Sequence, residues 1–120
     1  MLRADKEKKV IPSLAYELKL LESLAEYLKL VKELGVNMPI VIFLTLIGVK
    51  DWEMGVDPSL FDEYRSYKID RDILQLPETI IESYDIEPKD ILRPMFDLVW
   101  NACGFPRSFN FDEAGNWVAK

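Results

Sequence analysis

The chain contains no histidine and a single cysteine, Cys103, among its 120 residues. Cys–His and Ser–His–Asp catalytic sets and every His-based metal site are therefore excluded. Cys103 has no partner for an internal disulfide, which points to a reducing, cytoplasmic compartment. The five glycines, Gly35, Gly48, Gly55, Gly104 and Gly115, are isolated, so no phosphate-cradling glycine loop is built from them. The longest apolar run, 38–49, is interrupted by Pro39, Thr45 and Gly48 and falls well short of the roughly 20 residues of a membrane helix. It belongs in a core. No apolar signal core follows the charged residues 1–9, so no export is implied.

Acidic residues outnumber basic ones 21 to 15, a formal charge of −6. The imbalance sits in 51–90, which carries 12 acidic and 4 basic side chains. Such a segment repels phosphates, so nucleic acid is expected only through a separate domain. With 49% hydrophobic and 12% aromatic residues, and no linker or repeat, 1–120 reads as one domain with a real core. Residues 1–10 are expected as a flexible N-terminal arm and 105–120 as an aromatic tail packing on the core.

Ser13 after Pro12 has the chemistry of an N-cap, and Gly35 that of a helix stop, so a helix is expected over 13–34. Its apolar arc, from Leu14 through Val31 and widened by Leu20, Tyr27 and Leu34, predicts burial on more than one side, with Glu17 among the polar residues of the remaining face. Residues 40–47 are dense in β-branched and aromatic side chains on both alternating faces, which predicts a central strand. From 49 to 54 the pattern is mixed and the chain is expected to emerge toward solvent. A second extended segment fits 69–76, ending at Pro77, while 78–85 reads equally as a short helix. Pro88 suits a helix start, and Leu92, Met95, Phe96, Val99, Ala102 and Cys103 keep helical spacing up to Gly104. Pro94 inside this stripe implies a late start or a kink.

Four phrases, GVNMPIVIFLTLIGVKDWEM, IDRDILQLPETIIE, LRPMFDLVWNACG and RSFNFDEAGNW, carry a resemblance. They resemble the C-terminal region of bacterial DNA-binding transcriptional regulators that have an N-terminal Schlafen-type, divergent Alba-like domain. The resemblance spans roughly residues 11–118 and implies a shared fold rather than a shared activity. Asp51-Trp52 stands where that pattern has Gly-Tyr, and Phe111 where it has Tyr. The DNA-binding half is missing from this stretch.

Several groups invite a chemical reading. Glu87 and Lys89, downstream of Asp70 and Asp72, have the residue types of a metal-dependent nuclease, but Pro88 between them suits a helix start instead of a shared strand. Asp70, Asp72, Glu78 and Glu82 lack calcium-loop spacing and read as a solvated acidic face. Cys103 lies on an apolar stripe with no cation near it in sequence, as a small core residue does. Asn101, Arg107, Ser108 and Asn110 are expected to bond the turn backbone after Gly104.

The sequence thus predicts an α+β domain, two main helices on a small antiparallel sheet formed by 40–54 and 69–76. No catalytic residue, metal ligand or cofactor is expected from it. The expected function is a non-catalytic accessory or interaction module, with self-association or another protein domain as partner and no membrane. Trp52, Phe61, Tyr64, Tyr67 and Trp117 are the candidate interface residues. The alternative is a part of a nucleic-acid-processing or nucleotide-hydrolysing enzyme whose catalytic half lies elsewhere.

Overall fold

Strand β1 (Val10–Pro12) leads directly into helix α1 (Ser13–Glu33). Strands β2 (Ile40–Ile42), β3 (Thr45–Ile47), β4 (Glu53–Gly55), β5 (Ile73–Gln75) and β6 (Thr79–Ile81) follow, and helix α2 (Pro88–Ala102) comes last. These elements belong to a computed structural model that describes residues 9–55 and 67–117. The class is α+β, as the sequence predicts, with two helices and three two-stranded pairings among the described residues.

Both helices stop in the same way. After α1, Gly35 has φ +78°; its N–H donates to Lys32 O at 3.1 Å and the Val36 N–H to Val31 O at 3.0 Å. After α2, Gly104 has φ +88°, its N–H donates to Asn101 O and the Phe105 N–H to Trp100 O, both at 3.0 Å. These paired bonds are Schellman stops, and at the end of α2 an apolar contact accompanies them, the edge-on packing of Trp100 against Phe105 at 5.2 Å. The start of α1 differs from expectation. Pro12 occupies the cap position, no side chain caps the helix, and Ser13 is drawn into the first turn because β1 runs straight into it. Pro88 starts α2, which continues through Pro94. The missing bond is tolerated because Leu92, Met95, Phe96 and Val99 are all buried.

Residues 40–47 do not form a strand buried on both faces. β2 pairs antiparallel with β6, Val41 opposite Ile80, and β3 pairs antiparallel with β5, Leu46 opposite Leu74. The Leu76 N–H donates to Leu44 O at 3.1 Å between the two pairings. Together they make one ribbon in which residues 43 and 44 oppose 76–78, a bulge on the second strand. Ile40, Ile42, Leu44 and Leu46 pack inward on the core, whereas Val41, Phe43 and Ile47 are exposed. The strand partner therefore extends to residue 81, and the 78–85 ambiguity resolves as strand over 79–81.

The segment before residue 55 turns inward instead of emerging. Val49 and Met54 are buried, and β4 pairs in parallel with β1, with Ile11 opposite Met54. The reading of 1–10 as an arm falls mainly outside the described residues. Its end does not fit: Val10 is in β1, and Lys9 O accepts the Glu53 N–H at 2.8 Å. The core itself is built by α1, α2 and the start of the tail, with Phe96, Val99, Trp100, Cys103 and Phe105 essentially inaccessible. The wide apolar arc of α1 is only partly used, since Leu18, Tyr27, Leu30 and Leu34 remain exposed.

Candidate functional site

One buried carboxylate organises the interior polar chemistry. Glu17 is wholly inaccessible, and its spacing on α1 puts it in line with the buried Leu24, Leu28 and Val31. Its Oε1 accepts from Trp117 Nε1 at 2.9 Å, Asn110 Nδ2 at 3.1 Å and Ser108 Oγ at 3.2 Å. Its Oε2 accepts from Trp100 Nε1 at 2.8 Å and from the same Ser108 hydroxyl at 3.0 Å. No cation is among these partners. Burial pushes the Glu17 carboxyl above the usual carboxylate range, and the bonds from Trp100, Trp117, Asn110 and Ser108 pull it partly back. Next to it in sequence, the Tyr16 hydroxyl is the buried side-chain polar atom without a partner among the described residues. Burial first, then the Glu17 charge, pushes its pKa well up.

The result is a clamp. Trp100 belongs to α2, while Ser108, Asn110 and Trp117 belong to the tail, so Glu17 ties both to α1. The turn between Asn110 and Trp117 is closed by the Phe111–Trp117 bridge and by Asp112 Oδ1, which accepts the N–H groups of Ala114 and Asn116. Arg93 lies over the Phe111 ring at 4.8 Å. Both Glu17 oxygens are saturated by donors and shut off from solvent, which suits holding the tail and offers nothing to a substrate.

The candidate interface aromatics are placed as follows. Trp117 is half-buried and its indole N–H is spent on Glu17. Trp52 is half-buried against the core, and its carbonyl accepts the Ile69 N–H at 2.9 Å. Tyr67 is 64% exposed, with its N–H donating to Cys103 O at 2.7 Å and its ring over Gly104. Backbone bonds through Ile69 and Cys103 thus bring Trp52 and Tyr67 to the same end of α2, apart from Trp117 on its clamp. Phe61 and Tyr64 lie outside the described residues. The other polar candidates divide: Asn101 Nδ2 bonds Phe105 O and Arg107 bonds the carbonyls of Ser108 and Phe111, while Ser108 and Asn110 reach Glu17.

Glu87 caps α2 and Lys89 sits in its first turn, paired with Glu87 and Asp90 at 3.3 and 3.1 Å. The nuclease-like residues are therefore a helix start. Asp70 is exposed beside Arg71, and Asp72 contributes its carbonyl to Gly48 and Val49. Among the described residues, no group of three or more His, Cys, Asp or Glu side chains lies close enough to hold a metal ion. No helix among them is long and apolar enough to cross a membrane.

What remains open is apolar. On the outer face of the ribbon Val41 stands opposite Ile80 and Ile47 opposite Ile73, with Phe43 between, 66% exposed. A groove of about 320 Å³ runs beside it, walled by residues 40–44 on one side and by Leu20, Ser23 and Tyr27 of α1 on the other, with Leu24 and Leu92 as floor. Sequence reasoning grouped Glu17 with the solvated residues by its charge, although its spacing to Leu24, Leu28 and Val31 puts it on the buried stripe; that spacing, and the Trp100 and Trp117 indoles, which need acceptors when buried, were the available signals. No family model, curated protein or solved structure matches the chain.

Proposed function

We propose that this chain is a non-catalytic interaction module that self-associates, leaving any nucleic-acid contact to a separate domain. The observation that carries this reading is the outer face of the ribbon, where Val41, Phe43, Ile47, Ile73 and Ile80 are exposed together. These side chains present on the order of 500 Å² of apolar surface, the upper end of what a monomer leaves to water. The aromatic tail would be the natural internal cover, but Glu17 holds it against α1 and α2. A second copy is present at the chain's own concentration and meets an uncharged apolar face with an identical one, and twofold pairing closes such contacts.

The 12 acidic against 4 basic residues of 51–90 support leaving nucleic acid to another domain, as does the resemblance to the region that follows the Alba-like half of DNA-binding regulators. Light scattering of the full chain at micromolar concentration tests the reading. The expected mass is 28 kDa, twice 14.0 kDa. A 14.0 kDa species that persists to near-millimolar concentration overturns it.

A further inference from the structure

The two outer edges of the ribbon are not alike. On the second strand, the edge is flanked and interrupted by Asp72, Gln75, Pro77, Glu78 and Glu82, the charges and proline by which edge strands resist pairing with other chains. On the first strand, residues 40–47 contain no charge, no proline and no glycine. Leu44 O accepts from Leu76, and the Gly48 N–H donates to Asp72 O at 2.7 Å. In an extended chain successive residues turn their N–H and C=O to opposite sides. Even-numbered residues therefore bond the ribbon partner, and the backbone groups of Val41, Phe43, Thr45 and Ile47 point to the free edge. Five consecutive residues, 40–44, line the groove; only a strand edge, never one face of a strand, offers that.

Across the groove α1 carries a second unpartnered feature. Leu20, Ser23, Tyr27, Leu30 and Leu34 recur at alternating spacings of three and four, the pattern of a helix-pairing seam. Tyr27, Leu30 and Leu34 are 52%, 53% and 70% exposed. Lys19 flanks one end of the seam and Glu33 the other. Tyr27, at the middle of the seam, and Phe43, at the middle of the free edge, line the same groove.

We propose that the occupant of this edge is a second copy of the chain, related by a twofold axis beside Phe43 and Tyr27. This rests on the self-association proposed above but places the contact at the free edge of that face, through Val41 and Phe43, instead of across the face. Strand 41–45 pairs antiparallel with itself, Phe43 opposite Phe43 and Val41 opposite Thr45, joining the two ribbons into one sheet. The α1 seams meet antiparallel on the inner layer, which sets Lys19 of each copy toward Glu33 of the other. An edge that pairs with an identical edge satisfies its own backbone groups, and a twofold axis across it makes the order antiparallel.

The test is the dimer dissociation constant of the full chain, by light scattering and sedimentation, for four variants whose fold is checked by circular dichroism. Thr45→Pro removes one edge N–H that the ribbon itself does not use, and is expected to abolish the dimer. Leu30→Lys, on an exposed helix position, raises the dissociation constant at least tenfold, and it decides the matter if Thr45→Pro does not fold. Lys19→Glu weakens the dimer and Lys19→Glu with Glu33→Lys restores it. Ile73→Lys, on the outer face away from the edge, separates the two contacts: edge pairing predicts the parent's dissociation constant, whereas face-to-face pairing predicts a higher one. A dimer that withstands Thr45→Pro and Leu30→Lys but dissociates with Ile73→Lys overturns the edge geometry while preserving self-association. A monomeric parent chain overturns both.

Discussion

Trp117 Nε1 donates to Glu17 Oε1 at 2.9 Å across 100 positions of sequence. That bond ties the end of the described chain to the second turn of α1, and with Asn110 and Ser108 it makes the tail part of the core. A carboxylate buried without a cation is tolerable because every lone-pair direction in use meets an N–H or O–H donor.

Glu17→Gln keeps the shape and removes the charge, yet it replaces one acceptor oxygen with an amide donor. Trp100 and Trp117 each offer only an N–H, so whichever oxygen is replaced leaves an indole facing a donor. The expected loss is about 1–3 kcal/mol, read as a lower urea midpoint at unchanged slope. Trp117→Phe, which leaves the other donors in place, is expected to cost less. A Glu17→Gln chain as stable as the parent would show that the clamp carries no stability.

The same carboxylate gives a pH signature. Burial raises the folded-state pKa of Glu17 above 4.5, so its contribution is fully present below the unfolded value and is lost as pH rises through the folded value. The stability difference between the parent and Glu17→Gln should therefore shrink as pH rises through the folded-state value. Asp112 behaves oppositely. Backbone donation from Asn116 holds it below 3.8, so its contribution is present at neutral pH and lost as pH falls through the folded value. As pH rises, the urea midpoint of Glu17→Gln should approach the parent's while that of Asp112→Asn falls further below it.

At the end of α2, Gly104 combines a left-handed backbone with a close neighbour. A Cβ there would run into the Tyr67 ring, and φ +88° is already unfavourable for any side chain. Gly104→Ala is expected to destabilise by more than about 1 kcal/mol. Repeating it in a Tyr67→Ala chain separates the causes: the ring's share disappears and the backbone's share stays. Thermal melts of the four chains complete the cycle.

Much of this fold was legible because its signals are local. Helix stops at Gly35 and Gly104, the start at Pro88 and the stripe ending at Cys103 depend on residues within a turn or two of each other. The 40–47 run misled because apolar side chains on both alternating faces say what each face tolerates, not whether anything covers it. The parallel β1–β4 pair and the Glu17 clamp join residues about 43 and 100 positions apart. Glu17 shares its residue type with Glu22 and Glu26 but not their helix face: it sits in line with Leu24, Leu28 and Val31, and the packing of α2 and the tail closes water off from that face.

Cys103 provides a test of how tightly that packing holds. The thiol is inaccessible, and burial pushes it up to about 11, opposed by a backbone bond from Met54 and reinforced by the Glu53 charge. At pH 8 the thiolate is on the order of one part in a thousand, and the thiolate is the reactive species. A disulfide reagent at that pH should therefore leave the native chain unlabelled over the time in which the urea-unfolded chain reacts completely. Slow labelling, where it is seen, should track global unfolding and accelerate in Glu17→Gln, because the clamp and the thiol share α2. Rapid labelling of the native parent chain would mean that the end of α2 opens locally, with the Schellman stop at Gly104 too weak to hold Phe105 over the core.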